Sequence, residues 1–442
     1  MTRITGADPV LPGRFLIGTA AATCVGGTTQ AAADLFHDRG GDPGEVAVDV
    51  RHAAHAFRSE RYLRLDGGPV GDLWAAVSGD YQGADGWIKI HANYPHHAAA
   101  AARALGVPEE RDAFAAAIAA RPVREIEDAV HAAGGVAAAM RTAREWAAHP
   151  AGQAVRTIPL VDVTPIASSA PEPLPPGPRP LSGVRVLDLT HVIAGPLCGR
   201  TLAAHGADVL HIGAAHLPIL PPLQLDHGFD KRDAFVDLRT ETGRVTFREL
   251  VAGTDIMIGS YRPGALARLG FGPAELAELR PGIITVELSA WGHAGPWRDR
   301  RGFDSLVQMA CGIAAEPLGT EPSPLPAQVL DHATGWLAAG AAITGLRRRA
   351  VEGGSWRIRL ALARTAAWFT DLGRLPVDGP EADDPADLLS EIDSFAGKLR
   401  YIRVPGELPG APPGWRHGAR QPGSDQPAWA TSRPAPGSAR SS

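Results

Sequence analysis

From residue 184 onward the apolar positions follow two alternating rhythms. Residues 184–189, 208–212, 255–258 and 283–288 are short runs rich in valine, isoleucine and leucine, and read as strands. Between them, residues 195–205, 242–252 and 273–279 place apolar side chains every three to four positions and read as helices. Gly206 ends the first of these as a C-cap does, and Pro273 opens the last at a position where its missing N–H costs nothing. The alternation predicts an α/β fold: a doubly wound, mainly parallel, Rossmann-like large domain over 181–372, with ligands beyond the carboxyl ends of its strands.

Upstream, residues 86–91 read as a strand followed by alanine-rich helices at 97–105 and 109–120, which suggests a smaller α+β domain over 59–158. Residues 164–180 read TPIASSAPEPLPPGPRP, where proline density opposes helix and favours an extended spacer, so a linker is expected over 159–180. An extended C-terminal segment is expected over 373–442, disordered from about Gly406 because proline, glycine and serine crowd it. Residues 1–58 echo a later stretch. Residues 11–57 and 325–369 each run Leu-Pro, small-residue helix, Gly-Gly, strand and Arg-x-Ala-Ala, a register that sets Asp331 against Ile17 or Gly18. A partial repeat and a coincidence of alanine-rich composition both account for this.

Composition narrows the chemistry. The 442 residues are 45% hydrophobic and 21% charged, ordinary for a folded protein and long enough for two cores. A net charge of −5 provides no general attraction to nucleic acid, and no stretch has the length of a membrane span. Any anionic ligand must therefore meet a local cluster of cations. Cys24, Cys198 and Cys311 are too far apart for a disulfide framework or a zinc site, and the apolar run near residues 15–24 is too weak for a signal peptide, so a cytoplasmic protein is expected. His91, His96 and His97 lack a nearby carboxylate or cysteine and are expected to form a surface turn rather than a metal site.

The phosphate-binding P-loop, HExxH helix, CxxC pair, GxSxG elbow and GxGxxG turn are all missing. Six ordered segments are present instead: LSGVRVLDLTHVIAGP at 181–196, GADV at 206–209, DKRDAFVDL at 230–238, YRPG at 261–264, SAWGHAGP at 289–296 and GFDSLVQ at 302–308. Together they resemble the family III CoA-transferases, whose relatives include the α-methylacyl-CoA racemases. The order of parts is unusual, since the small-domain-like region precedes the large one, as in a partial tandem fusion.

The resemblance implies acyl-CoA and a carboxylic acid acceptor as substrates, no tightly bound cofactor, no metal, no nucleic-acid or membrane partner, and a homodimer. It places the family's covalent nucleophile at Asp331 in VLDHATG. A carboxylate can attack a thioester to give an anhydride, and the helix start there is expected to keep it ionised. A plain helix N-cap is the structural alternative. By the same resemblance His191, Val192, Ile193 and Ala194 lie along CoA, and Lys231, Arg232 and Arg262, with Tyr261 beside them, meet its phosphates. Gly292 and Gly295, with Pro296, offer backbone N–H groups to the thioester oxygen or else form a simple turn. Phe303 stands where the racemases carry a proton-transferring histidine, which disfavours racemisation. A catalytically inactive CoA-binding or partner-binding homologue is the further alternative, and the altered LHIGA strand end at 210–214 keeps it open.

Overall fold

The runs of valine, isoleucine and leucine become strands buried on both faces, as parallel strands under two helical layers must be. The computed structural model describes residues 2–316 and 321–429. Its largest sheet has seven strands in the spatial order Lys231–Phe235, Asp208–Gly213, Arg185–Leu189, Ile256–Gly259, Ile284–Ser289, Ser355–Ala361 and Asp162–Ala167. The first six are parallel and the last is antiparallel. The chain order reverses between Arg185–Leu189 and Ile256–Gly259, the switch point at which open α/β sheets leave a crevice.

Alternate residues of each strand divide two cores. Val186, Ile256, Ile258, Ile284 and Val286 face the helices Ala194–Ala204 and Val329–Glu352. Leu187, Leu189, Leu210, Ile212 and Met257 face Phe247 and Leu250 of Glu241–Ala252 and Leu276 of Pro273–Leu279. A third cluster gathers around Ile88, Ile90, Phe114, Ile118, Ile126 and Val130. It lies between the antiparallel strands Gly79–Gly83, Gly86–Ile90 and Ala137–Ala139 and the helices Pro95–Leu105, Arg111–Ala119 and Val123–Ala132. The Arg141 N–H donates to Met309 O at 3.0 Å and ties that unit to the helix Asp304–Ala310.

The two echoing stretches fold alike. Ile17–Asp38, Ala47–Asp49 and Val50–Ala56 form a helix, strand and helix, as do Val329–Glu352, Ser355–Ala361 and Leu362–Asp371. Their N-caps share one backbone conformation: Leu16 has φ −79° and ψ 63°, and Gln328 has φ −81° and ψ 63°. The structural register therefore matches Asp331 with Thr19, two places on from Ile17. The long helices also touch, with Thr28 Oγ1 donating to Trp336 O at 2.7 Å.

Two expectations are corrected. The proline-rich stretch begins as an edge strand, with Pro165 opposite Trp356 at a place where proline's missing N–H is tolerated. The remainder is held by Arg39, whose guanidinium donates to the carbonyls of Pro175, Pro180 and Ser182 at 2.8, 2.6 and 2.9 Å. Residues 406–429 are ordered rather than disordered, because two tryptophans pin them: Trp415 Nε1 donates to Arg200 O and Trp429 Nε1 to Leu250 O, both at 2.9 Å. The rest of the expected disordered tail, 430–442, lies outside the described residues. Among the described residues no helix is long and apolar enough to cross a membrane.

Candidate active site

Three turns meet at the switch point: the one after Arg185–Leu189, through His191, Val192 and Ile193; the one after Ile256–Gly259, through Ser260, Tyr261 and Arg262; and the one after Ile284–Ser289, at Ala290. Together with Asp331 they line a cavity of about 480 Å³. Its other wall comes from Tyr94, His96 and His97, and from Arg298, Arg300, Arg301 and Phe303. Asp331 is the one carboxylate among these described lining residues, against four arginines.

Asp331 sits in the first turn of the 24-residue helix Val329–Glu352. Its carboxylate accepts the Ala194 backbone N–H, and its own N–H donates to Asp304 Oδ2 at 2.9 Å. Asp304 also accepts from the Leu330 N–H, so it is Asp304 that caps the helix and Asp331 is left facing the cavity. The simple N-cap reading of Asp331 is thereby replaced. Gly335, one turn further on the same face, allows this contact: a Cβ there would come within 2.6 Å of Ala194 O and 3.0 Å of Leu197 Cβ.

The expectation that the helix start keeps Asp331 readily ionised does not hold. Burial pushes its carboxyl well above the usual range, and the nearby carboxylates of Asp304 and Glu60 push the same way. Desolvation outweighs a helix-terminus field that contributes only about 0.3–1 kcal/mol at exposed sites. Asp304 is itself raised to about 6 by burial. Glu60 arrives through His332, the residue after Asp331, whose Nε2 lies 3.1 Å from Glu60 Oε2. Burial alone would raise Glu60, but that hydrogen bond and the charge of His332 hold it below the ordinary carboxylate value.

His191, Val192, Ile193, Ala194, Tyr261 and Arg262 are brought together around Asp331. Val192 has φ +75°, a conformation that a β-branched residue adopts at a cost of about 1–3 kcal/mol and that collects at functional turns. Four other candidates go elsewhere. Lys231 is buried, and its ammonium is spent on Asp188 Oδ2 and Pro196 O, both at 2.7 Å. Arg232 forks onto Asp208 and donates to Ala428 O at 2.6 Å. Both are internal ion pairs rather than phosphate ligands. Gly292 and Gly295, at φ +87° and +82°, make a tight turn in which a Cβ would meet Ile158 Cδ1 at 2.9 Å and Ala154 Cβ at 2.4 Å. The Gly292 N–H is held by Ser289 Oγ at 3.1 Å, so this loop serves packing and stays outside the cavity lining.

The histidine-rich stretch is a surface turn only in part, with Pro95 and His96 exposed. His91 and His97 are buried, and His91 stacks on Phe303 with ring centroids 3.7 Å apart. Among the described residues no group of three or more potential ligands could hold a metal ion. Sequence reasoning missed Glu60, His97, Arg300 and Arg301 at this site. The GFD segment that supplies Asp304 was visible, but the capping role of that aspartate was not.

Residues 181–374 match CoA-transferase family III. That stretch is similar to the family over less than half of the chain. The chain is 34% identical over 199 residues to an acetyl-coenzyme A transferase, nodX, of Hypoxylon pulicicidum, covering 43% of this chain and 34% of the relative. It is 33% identical over 200 residues to a probable fatty acyl-CoA transferase, Rv3272, of Mycobacterium tuberculosis, covering 42% and 50%. It is 30% identical over 200 residues to a formyl-CoA:oxalate CoA-transferase of Rhodopseudomonas palustris, covering 42% and 46%. The match thus spans half or less of each of these relatives. The family III stretch carries Asp331 and the three strand-end turns, while Tyr94, His96 and His97 come from outside it.

Proposed function

We propose that this chain moves coenzyme A from an acyl-CoA thioester to a carboxylic acid, with Asp331 as the covalent nucleophile. The observation that carries the reading is a single carboxylate facing a 480 Å³ cavity among four arginines at the switch point of a family III sheet. An Asp331 oxygen adds to the thioester carbonyl, the C–S bond breaks, and CoA leaves as thiolate with an acyl-aspartyl anhydride behind it. The thiolate then adds to the aspartyl carbonyl, releasing the donor acid as carboxylate and leaving aspartyl-CoA. The acceptor carboxylate repeats the two steps in reverse order and restores Asp331. No net proton is moved.

Burial suits this route. A poorly solvated carboxylate gives up little hydration when it attacks, and the surrounding guanidinium groups favour binding of the polyanionic CoA. Arg262 is exposed at the cavity rim and is the natural phosphate contact, in place of Lys231 and Arg232. The unit built around residues 77–139 is read as the small domain of a two-domain, family-type architecture, with a homodimer as the assembly and the cytoplasm as the location. The test is mass spectrometry of the intact protein and its peptides after incubation with a panel of acyl-CoAs. An acyl or CoA adduct on the Asp331 peptide, absent in Asp331→Asn, is expected. CoA binding with no adduct from any donor would sink the covalent route.

A further inference from the structure

The short helix Ser59–Tyr62 brings a charged side chain into the interior from outside the family III stretch. Glu60 is 6% exposed, and its Oε2 lies 3.1 Å from Nε2 of His332, the residue that follows Asp331. Both partners are fixed. Ser59 Oγ donates to Asp226 Oδ2 at 2.6 Å and Arg200 Nη1 to Asp226 O at 2.6 Å, which ties the short helix to Pro221–His227 and Ala194–Ala204. The His332 ring stacks on Phe57, with centroids 5.5 Å apart and planes 25° from parallel. Apolar residues of matching size often stabilise a core as well as a buried ion pair does, so stability alone does not account for this one.

The pair acts on two carboxylates in opposite senses. Burial is the main force raising both Asp331 and Asp304; beyond it, the charges of Asp304 and then Glu60 raise Asp331 further, while the charge of His332 works to lower Asp304. Other ionisable groups face the nucleophile or the pair. On the cavity side stand His191, the histidine-rich turn and the four arginines. Behind Glu60 are Arg61 on its own helix, Asp226 paired with Arg200, and His227, which burial pushes well below its ordinary value and whose ring is 6.4 Å from that of His332. Across the proposed transfer Asp331 alternates between an anion and two uncharged forms, the anhydride and the thioester. A fixed negative charge nearby penalises only the anion.

We infer that Glu60, held by His332, is a positioning residue whose charge favours the covalent intermediates of Asp331 over its free carboxylate. This rests on the CoA-transfer reading above and adds to it a task for the segment that follows the N-terminal helix, strand and helix. The exchange it biases is balanced: the Asp331 carboxylate and an acyl-CoA give aspartyl-CoA and the free acid as carboxylate, with the charge passing from the buried aspartate to the departing acid and no proton moved. Glu60 therefore acts on the covalent equilibrium without touching the substrate.

The experiment is intact mass spectrometry of the full chain equilibrated with acetyl-CoA or succinyl-CoA at fixed concentrations of thioester, free CoA and free acid, over a range of pH, alongside a pH–rate profile. Glu60→Gln keeps the size of the side chain and an oxygen that can accept from His332, so a purely structural Glu60 predicts wild-type behaviour. On the inference, the ratio of covalent to free enzyme above the acid limb should be about tenfold lower in Glu60→Gln, and the limb should move to lower pH by about one unit, because one charge enters both quantities equally. Well below the limb, where the free carboxyl is protonated, the two proteins should carry adduct alike. Glu60→Met combined with His332→Leu removes both charges at matched size, covers the case in which the single variant does not fold, and should give the same two shifts. An unchanged ratio or an unmoved limb in either folded variant overturns the inference. No adduct on wild type overturns the transfer reading beneath it, so the two failures are told apart.

Discussion

Two long helices of nearly the same build pack together in this molecule, and one of them carries Asp331, the proposed nucleophile. Ile17–Asp38 and Val329–Glu352 start from matching N-caps, and each has its first N–H groups held by an aspartate from an earlier segment. Asp8 accepts from the Gly18 and Thr19 N–H groups at 2.9 and 2.7 Å, and Asp304 accepts from those of Leu330 and Asp331. At the matched third position one helix has Thr19, exposed, and the other has Asp331, buried beneath the histidine-rich turn and the arginines. A capped helix start is common to both. On the proposed function, only the helix that sets a buried carboxylate on the cavity carries chemistry.

The largest expected effect is on the nucleophile. Asp331→Asn should lower acyl transfer by at least about a thousandfold, the scale of losing a covalent route, as measured by acyl-CoA exchange with CoA quantified chromatographically. Next is Gly335→Val: a branched side chain at the contact with Ala194 O should move the helix outward and cost about 1–3 kcal/mol of stability together with most of the activity, read by thermal melts and exchange assays on one preparation.

Asp304→Asn probes the shared cap. It removes the charge that helps raise Asp331, so the acid limb of the pH–rate profile should move to lower pH while the plateau falls only several-fold. A limb that stays in place would separate the two carboxylates. The pair titrates as a unit, so the profile reports the pair.

A smaller effect concerns stability. Folded Asp331 holds its proton more tightly than the unfolded chain does, so stability is lost as pH rises from the ordinary carboxylate value through its raised folded value. Asp331→Asn escapes that loss. Its melting temperature relative to wild type should therefore climb as pH rises above the ordinary carboxylate value of about 4 and be flat below it. The smallest effect is the converse graft, Thr19→Asp. At an exposed helix start it should change stability by less than about 0.5 kcal/mol and give no adduct on its peptide.

Much of the parallel sheet could be read from the sequence because its strands are apolar throughout and separated by amphipathic helices. The edge strand Asp162–Ala167 could not, since its evidence is partnership with Ser355–Arg359 and its own composition signals a spacer. The ordered tail was hidden for a related reason: Trp415 and Trp429 are isolated in a proline- and glycine-rich stretch, and only the fold supplies the carbonyls they meet. At the site, motif segments located the turns around Asp331. They could not distinguish Arg262 from Lys231 and Arg232, because whether a cation is free depends on carboxylates such as Asp188 and Asp208 that come from other strands. His97 was unreadable for the same reason, its setting being decided by Phe303 some two hundred residues later.

That separation also sets an order of events during synthesis. The wall bearing Tyr94 and His97 leaves the ribosome long before Asp331, whose helix docks mainly on the earlier helices Ile17–Asp38 and Ala194–Ala204. Contacts so distant in sequence form late. The cavity therefore cannot be complete until Asp331 has emerged and its helix has docked, and the thioester chemistry proposed for it must follow that step.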